Sequence, residues 1–185
     1  PTVSSGTTDD GSPVGSLPVP ETGEAARPAG DPGTLQVLDW AGFEGAVSYT
    51  FDDSQPSHVE QYDALDETGA DMTFYVTANV AFDGAGAAWQ QAAADGHEIG
   101  NHTVSHPHAD LSEGGFGQPL ESTAAEIDEC SASITETTGQ RDVWTMAAPY
   151  GEAGWIDPAR EADLFLNRGV GGGSVVPGDG TDPYN

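Results

Sequence analysis

From about Leu35 onward, short apolar runs alternate with segments of helical periodicity, and the chain's polar motifs sit at the ends of those runs. This arrangement constrains the fold more than any other feature. The run at 46–51 reads as a strand ending on Asp52 and Asp53. Residues 72–77 form a second strand and 97–101 a third that leads into His102 and His106. A fourth at 143–147 leads into Pro149-Tyr150-Gly151, and 164–167 give one more. Helices fill the gaps. Ser57 and Glu60 compose a capping box for a helix running to about Gly69, and Trp89 anchors a helix at 85–94 closed by Asp95-Gly96. The longest helix, 120–137, stops at Gly139. Such alternation, with no internal repeat, predicts an α/β protein whose chemistry collects past the carboxyl ends of its strands.

The spacing within the motifs points to a cation. His102 and His106 stand four apart, which predicts two imidazoles on one face of a helical turn, both reaching a single metal. Asp53 adds a third, hard ligand, and its neighbour Asp52 is left as a carboxylate free to move protons. His97 lies in a strand and is expected to be buried and hydrogen-bonded, not a ligand. His58 and His108 are expected at the surface or around the site.

Composition narrows the partners. The 185 residues make one domain, with 31 acidic side chains against four arginines and no lysine, a formal charge of -27. This excludes an electrostatic case for binding nucleic acid or an anionic membrane, and leaves neutral or cationic substrates. Self-repulsion of that size is tolerated best where salt screens it, which fits a saline habitat. The single cysteine, Cys130, rules out an internal disulfide. It falls with Ile127 and Ile134 on a helical stripe and is expected to be a small buried hydrophobe. No apolar run approaches the roughly 20 residues of a membrane-spanning helix. Residues 1–33, rich in Pro, Gly, Ser, Thr and Asp, are expected to be a flexible tether ahead of a domain at 34–185. Such a tether commonly follows a cleaved signal or an anchored terminus, so a secreted or cell-surface location is expected.

These motifs resemble those of polysaccharide deacetylases, the NodB-homology domain of carbohydrate esterase family four. Thr50-Phe51-Asp52-Asp53 matches the first family motif, His102-Thr103 with His106 the second, and Pro149-Tyr150 part of the third; together they cover residues 45 to about 170. The resemblance implies a distorted, partly incomplete (β/α) barrel. It also implies that Asp53, His102 and His106 hold a divalent metal, usually zinc, with cobalt, nickel or manganese as alternatives. Asp52 would take a proton from a metal-activated water. The Tyr150 backbone N–H would help stabilise the oxyanion, a role worth roughly 3 to 4 kcal/mol where one such donor has been removed. Pro149 and the Tyr150 side chain would line the substrate groove. The implied reaction removes acetyl groups from an acetylated polysaccharide, either an N-acetylglucosamine polymer or acetylxylan. The alternatives are hydrolysis of a non-sugar amide or ester, or a non-catalytic domain that binds metal and glycan.

Two departures from the family pattern stand out. Ala147 occupies the position of an Arg that would pair with the catalytic base, so Asp52 has to be oriented by another group, with Arg168 and Arg141 as candidates. The later motifs, including a Leu-x-His that carries a general acid, do not occur before Asn185, and no histidine follows His108. A closed barrel of this type needs roughly 200 to 250 residues. The domain is therefore expected to lack its C-terminal strands, which a continuation or a partner chain would supply.

Overall fold

A parallel sheet of five strands, curled into a half-barrel, carries the chain's polar motifs on its strand ends. Its strands are β3 (Tyr49–Phe51), β4 (Met72–Val76), β5 (Glu98–Asn101), β6 (Thr145–Ala147) and β7 (Leu166–Arg168), side by side in chain order. The computed structural model describes residues 47–171, Tyr184 and two short pairs, β1 (Gly6–Thr7) and β2 (Pro13–Val14), which run antiparallel. The rest of the expected 1–33 tether, and the region where C-terminal strands would lie, fall outside the described residues.

Helices connect the strands as the sequence pattern implies. The β4 run Met-Thr-Phe-Tyr-Val is aromatic and branched, and four of its five side chains are buried. A short helix, α3 (Ala78–Ala81), follows β4, and helix α4 (Gly86–Asp95) ends on Gly96, whose φ of 110° only glycine adopts without strain. Helix α5 (Thr123–Thr138) begins under a Ser122 cap, with the Ser122 hydroxyl accepting from the Ala125 N–H at 3.0 Å. Phe74, Val76 and Ile99 of the sheet pack with Trp89, Cys130 and Ile134 of the helices in one fully buried cluster. Each such large side chain contributes roughly 1.5–3 kcal/mol on burial. Ile127, Met146, Trp155 and Leu164 form a second cluster under β6. The expected stripe of Ile127, Cys130 and Ile134 is wholly buried, and burial pushes the Cys130 thiol up to about 12. Among the described residues no helix is long and apolar enough to cross a membrane.

Several details differ from the sequence pattern, beyond the first and fourth strands and the longest helix beginning two or three residues late. The capping box at Ser57 and Glu60 does not form, because Pro56 takes the first helical position with Gln55 as cap. The expected single helix is two short ones, α1 (Pro56–Glu60) and α2 (Tyr62–Asp66), meeting at Gln61. The last strand starts two residues later than expected, at Leu166, because Leu164 turns into the core and the register with β6 begins where Leu166 meets Thr145.

Candidate functional site

Asp52 and Asp53 leave the end of β3 in a tight turn in which Asp53 and Ser54 have φ of 68° and 52°. The turn is fixed from below, since the buried Ser54 hydroxyl accepts from the Thr77 N–H at 3.0 Å. His102 follows β5 directly. Its N–H donates to the Val76 carbonyl, and its Nδ1 lies 2.8 Å from the Ala147 carbonyl, which can only accept. That bond places a proton on Nδ1 and turns Nε2 toward Asp53.

His106 reaches the same place by a different path from the one its spacing suggests. Residues 102–106 do not form a helical turn, because Thr103 and His106 have φ of 67° and 54°. The loop still brings the two imidazoles together, with centroids 4.6 Å apart. Asp53 Oδ1 stands 3.2 Å from His102 Nε2 and 3.4 Å from His106 Nε2. All three donor atoms lie within 4.8 Å of one another. A hydrogen bond from His102 holds the Asp53 carboxyl below its usual range, outweighing burial, while burial and then the charge of His102 push the His106 imidazole down. Both shifts favour the ligating forms, a carboxylate and a neutral imidazole. Two nitrogens from buried imidazoles and one oxygen from a half-buried carboxylate fit a divalent cation such as zinc or cobalt.

Asp52 is held separately from this cluster. Its Oδ1 accepts from Arg168 Nη2, and both side chains are about 30% exposed. In the sheet register Arg168 stands directly beside Ala147, so the cation enters from the neighbouring strand. Arg141 is not involved: it is 86% exposed and pairs with Asp142.

Past β6, Pro149 is buried and Tyr150 takes a φ of 56° in a short 3-10 turn, Pro149–Gly151. The Tyr150 ring is half exposed and meets His106 edge-on at 4.6 Å. Its face stacks on His108 at 4.1 Å and 13°.

The family model described as polysaccharide deacetylase matches residues 42–162, well over half of the chain. The chain belongs to the polysaccharide deacetylase family. Solved structures with the same fold include a family 4 acetyl xylan esterase from Clostridium thermocellum in complex with a cobalt ion, at 23% identity and a TM-score of 0.51. The match covers 65% of this chain and 55% of that one. A family 4 carbohydrate esterase from Bacillus anthracis has 23% identity and a TM-score of 0.54, over 65% of this chain and 56% of that one. A family 4 carbohydrate esterase from Streptomyces lividans in complex with acetate has 24% identity and a TM-score of 0.53, over 67% and 62%. The chain therefore spans little more than half the length of the first of these relatives.

Within this deacetylase domain, His97 is buried as expected, its Nδ1 accepting from the Met72 N–H at 3.3 Å. His58 packs against Phe51 at 5.3 Å. Sequence reasoning gave His108 no role and passed over Glu152 and Glu126. Glu152 Oε1 accepts from His108 Nδ1 at 2.6 Å and Oε2 from the Ala109 N–H at 2.8 Å, tying the loop after β5 to the loop after β6. No periodicity reveals that pair, because it depends on which loops become neighbours. Glu126 did leave a signal. It is an acid on the same helical face as Cys130, four residues on, where the stripe is otherwise apolar.

Proposed function

We propose that this chain is a metal-dependent hydrolase that removes acetyl groups from an acetylated polysaccharide, an N-acetylglucosamine polymer or an acetylxylan. The observation that carries this reading is the convergence of Asp53 Oδ1, His102 Nε2 and His106 Nε2 beside a second carboxylate, Asp52, that is held apart from them. The names of relatives with the same fold run in the same direction, an acetyl xylan esterase and a peptidoglycan N-acetylglucosamine deacetylase among them. The strongly acidic composition suits a neutral glycan better than an anionic polymer.

Asp53, His102 and His106 would hold a divalent cation, zinc in the first instance with cobalt, nickel or manganese able to replace it, and when bound it would supply the Lewis acidity that lowers the pKa of water from ~16 towards ~7 and polarises an acetyl carbonyl. The protein's own groups do the rest. Arg168 occupies Asp52 Oδ1, which leaves Oδ2 as the oxygen that accepts the proton of the attacking water. Water oxygen bonds to the acetyl carbon and the amide C–N or ester C–O bond breaks. The proton taken by Asp52 balances the one that the departing amine or hydroxyl requires. The Tyr150 N–H donates to the oxygen that gains charge, with its positive φ fixing the direction of the peptide. Pro149 and the Tyr150 ring line the substrate groove beside His106. We place the protein outside the cytoplasm, at the cell surface or secreted, on the support of its lysine-free composition and the Pro/Gly/Ser-rich 1–33 segment.

Acetate release from N-acetylglucosamine oligomers and acetylxylan, with and without chelator, tests this reading. Activity should vanish on chelation and in Asp53→Ala. Turnover indifferent to both sinks it, and preference for a simple amide over every glycan moves the substrate class to non-sugar amides.

A further inference from the structure

Glu126 is fully buried, yet the reaction proposed above makes no use of it. Four donors converge on its carboxylate. The N–H groups of Val104 and Ser105 donate to Oε2 at 2.8 and 2.9 Å. The Ser105 hydroxyl and the Leu120 N–H donate to Oε1 at 2.7 and 2.9 Å. Among the described residues no cationic side chain pairs with it. Three of the four are peptide N–H groups, which can only donate, and acceptors on both oxygens suit a carboxylate. Its place in the first turn of α5 adds the favourable end of the helix dipole.

Three of the four donors belong to the loop between the two histidines. His102 needs little help from that loop, because the sheet fixes it through Val76 and Ala147. His106 lacks those sheet anchors, and its backbone is held at its carbonyl by the Gly115 N–H at 3.0 Å. Its N–H donates to Thr103 Oγ1 at 3.0 Å, within a loop that holds two non-glycine residues at positive φ. Such conformations are disfavoured for residues with a side chain and persist only when surrounding bonds over-determine them. Helix α5 supplies those bonds twice. Asn101 donates to the Ile127 carbonyl and to Ser131 while its Oδ1 accepts from the Thr103 N–H at 2.8 Å, and Glu126 then binds the next two peptides.

We propose that Glu126 is the positioning residue of the metal centre: by gripping Val104 and Ser105 it sets where His106 stands, and so sets the affinity of the site for a divalent cation. This rests on the reading of Asp53, His102 and His106 as a metal site. The test is a Co2+ titration by calorimetry and visible absorption on the full chain, comparing wild type, E126Q, S105A and I134V. The last removes buried volume from α5 eight residues beyond Glu126 and leaves all four bonds to the Glu126 carboxylate in place. E126Q should weaken Co2+ binding by roughly 10- to 100-fold and alter the ligand-field bands, with S105A following at several-fold. I134V should lose thermal stability but bind Co2+ as wild type does. Should E126Q not fold, S105A decides alone. Unchanged affinity and spectrum in S105A and E126Q, or equal weakening in I134V, overturns the proposal while the metal reading stands. A wild-type protein that takes up no Co2+ overturns both.

Discussion

Arg168 and Asp52, 116 positions apart, meet through Nη2 and Oδ1, although they come from opposite outer strands of the five-stranded sheet. Only a curled sheet brings those edges within reach, so the pair depends on the half-barrel and helps to close its mouth. It also accounts for Ala147, which stands beside Arg168 in the register. The cationic partner of Asp52 has moved one strand along. R168A should therefore lower kcat for acetate release by roughly 10- to 100-fold with a smaller change in KM. The double variant A147R/R168A should recover part of the loss by delivering a guanidinium from β6. An R168A enzyme with wild-type kcat would remove Arg168 from the mechanism.

Cys130 should be inert in the native protein. It is fully buried, its thiol donates toward the Val76 carbonyl at 3.5 Å, and burial pushes its pKa up to about 12. A disulfide reagent at pH 8 should titrate no thiol until denaturant is added, and then one. Deacetylation by C130A should match wild type at temperatures where both are folded, with stability lower by about 1–2 kcal/mol from the small cavity. Rapid labelling of the folded chain would contradict the burial.

The half-barrel was legible in the sequence because its signals are local. Apolar runs and the αL glycines Gly96 and Gly139 mark element ends without reference to the rest of the fold, whereas the Ser122 cap went unread and the helix expected from 120 begins at Thr123. Asp53, His102 and His106 were legible as a set that converges, but their backbone was not. A spacing of four suits a helical turn as well as the bent loop that forms, and what selects the loop is Asn101 and Glu126 bonding across to and from α5. The choice between Arg168 and Arg141 turned on strand register, which one sequence does not display. His108 and Glu152 meet only because two strand-end loops become neighbours.

Salt should stabilise this domain. With -27 formal charges on 185 residues, like-charge repulsion opposes the folded state over distances that the solvent screens. The Debye length falls from about 10 Å at 0.1 M to about 3 Å at 1 M. The melting temperature should therefore rise steadily from 0.1 to 1 M KCl, by several degrees. A flat or falling profile would mean that local ion pairs, such as Asp52 with Arg168, outweigh the net charge.

The bond between His108 and Glu152 should give stability a defined pH window. Its hydrogen bond with Glu152 raises His108 above its ordinary 6.5, so that contribution is complete below 6.5 and is lost as pH rises through the folded value. Hydrogen bonds from the Ala109 N–H and then from His108 lower Glu152 below its ordinary 4.5, so its contribution is complete above 4.5 and is lost as pH falls through the folded value. Together they predict that E152Q lowers the melting temperature most between pH 4.5 and 6.5, and less on either side. The effect should be small because both groups face solvent, and it should shrink with added salt. Melting curves of wild type and E152Q from pH 3.5 to 9 measure it. A difference that does not vary with pH would leave Glu152 as an acceptor for the Ala109 N–H alone, with Tyr150 held by stacking on an uncharged His108.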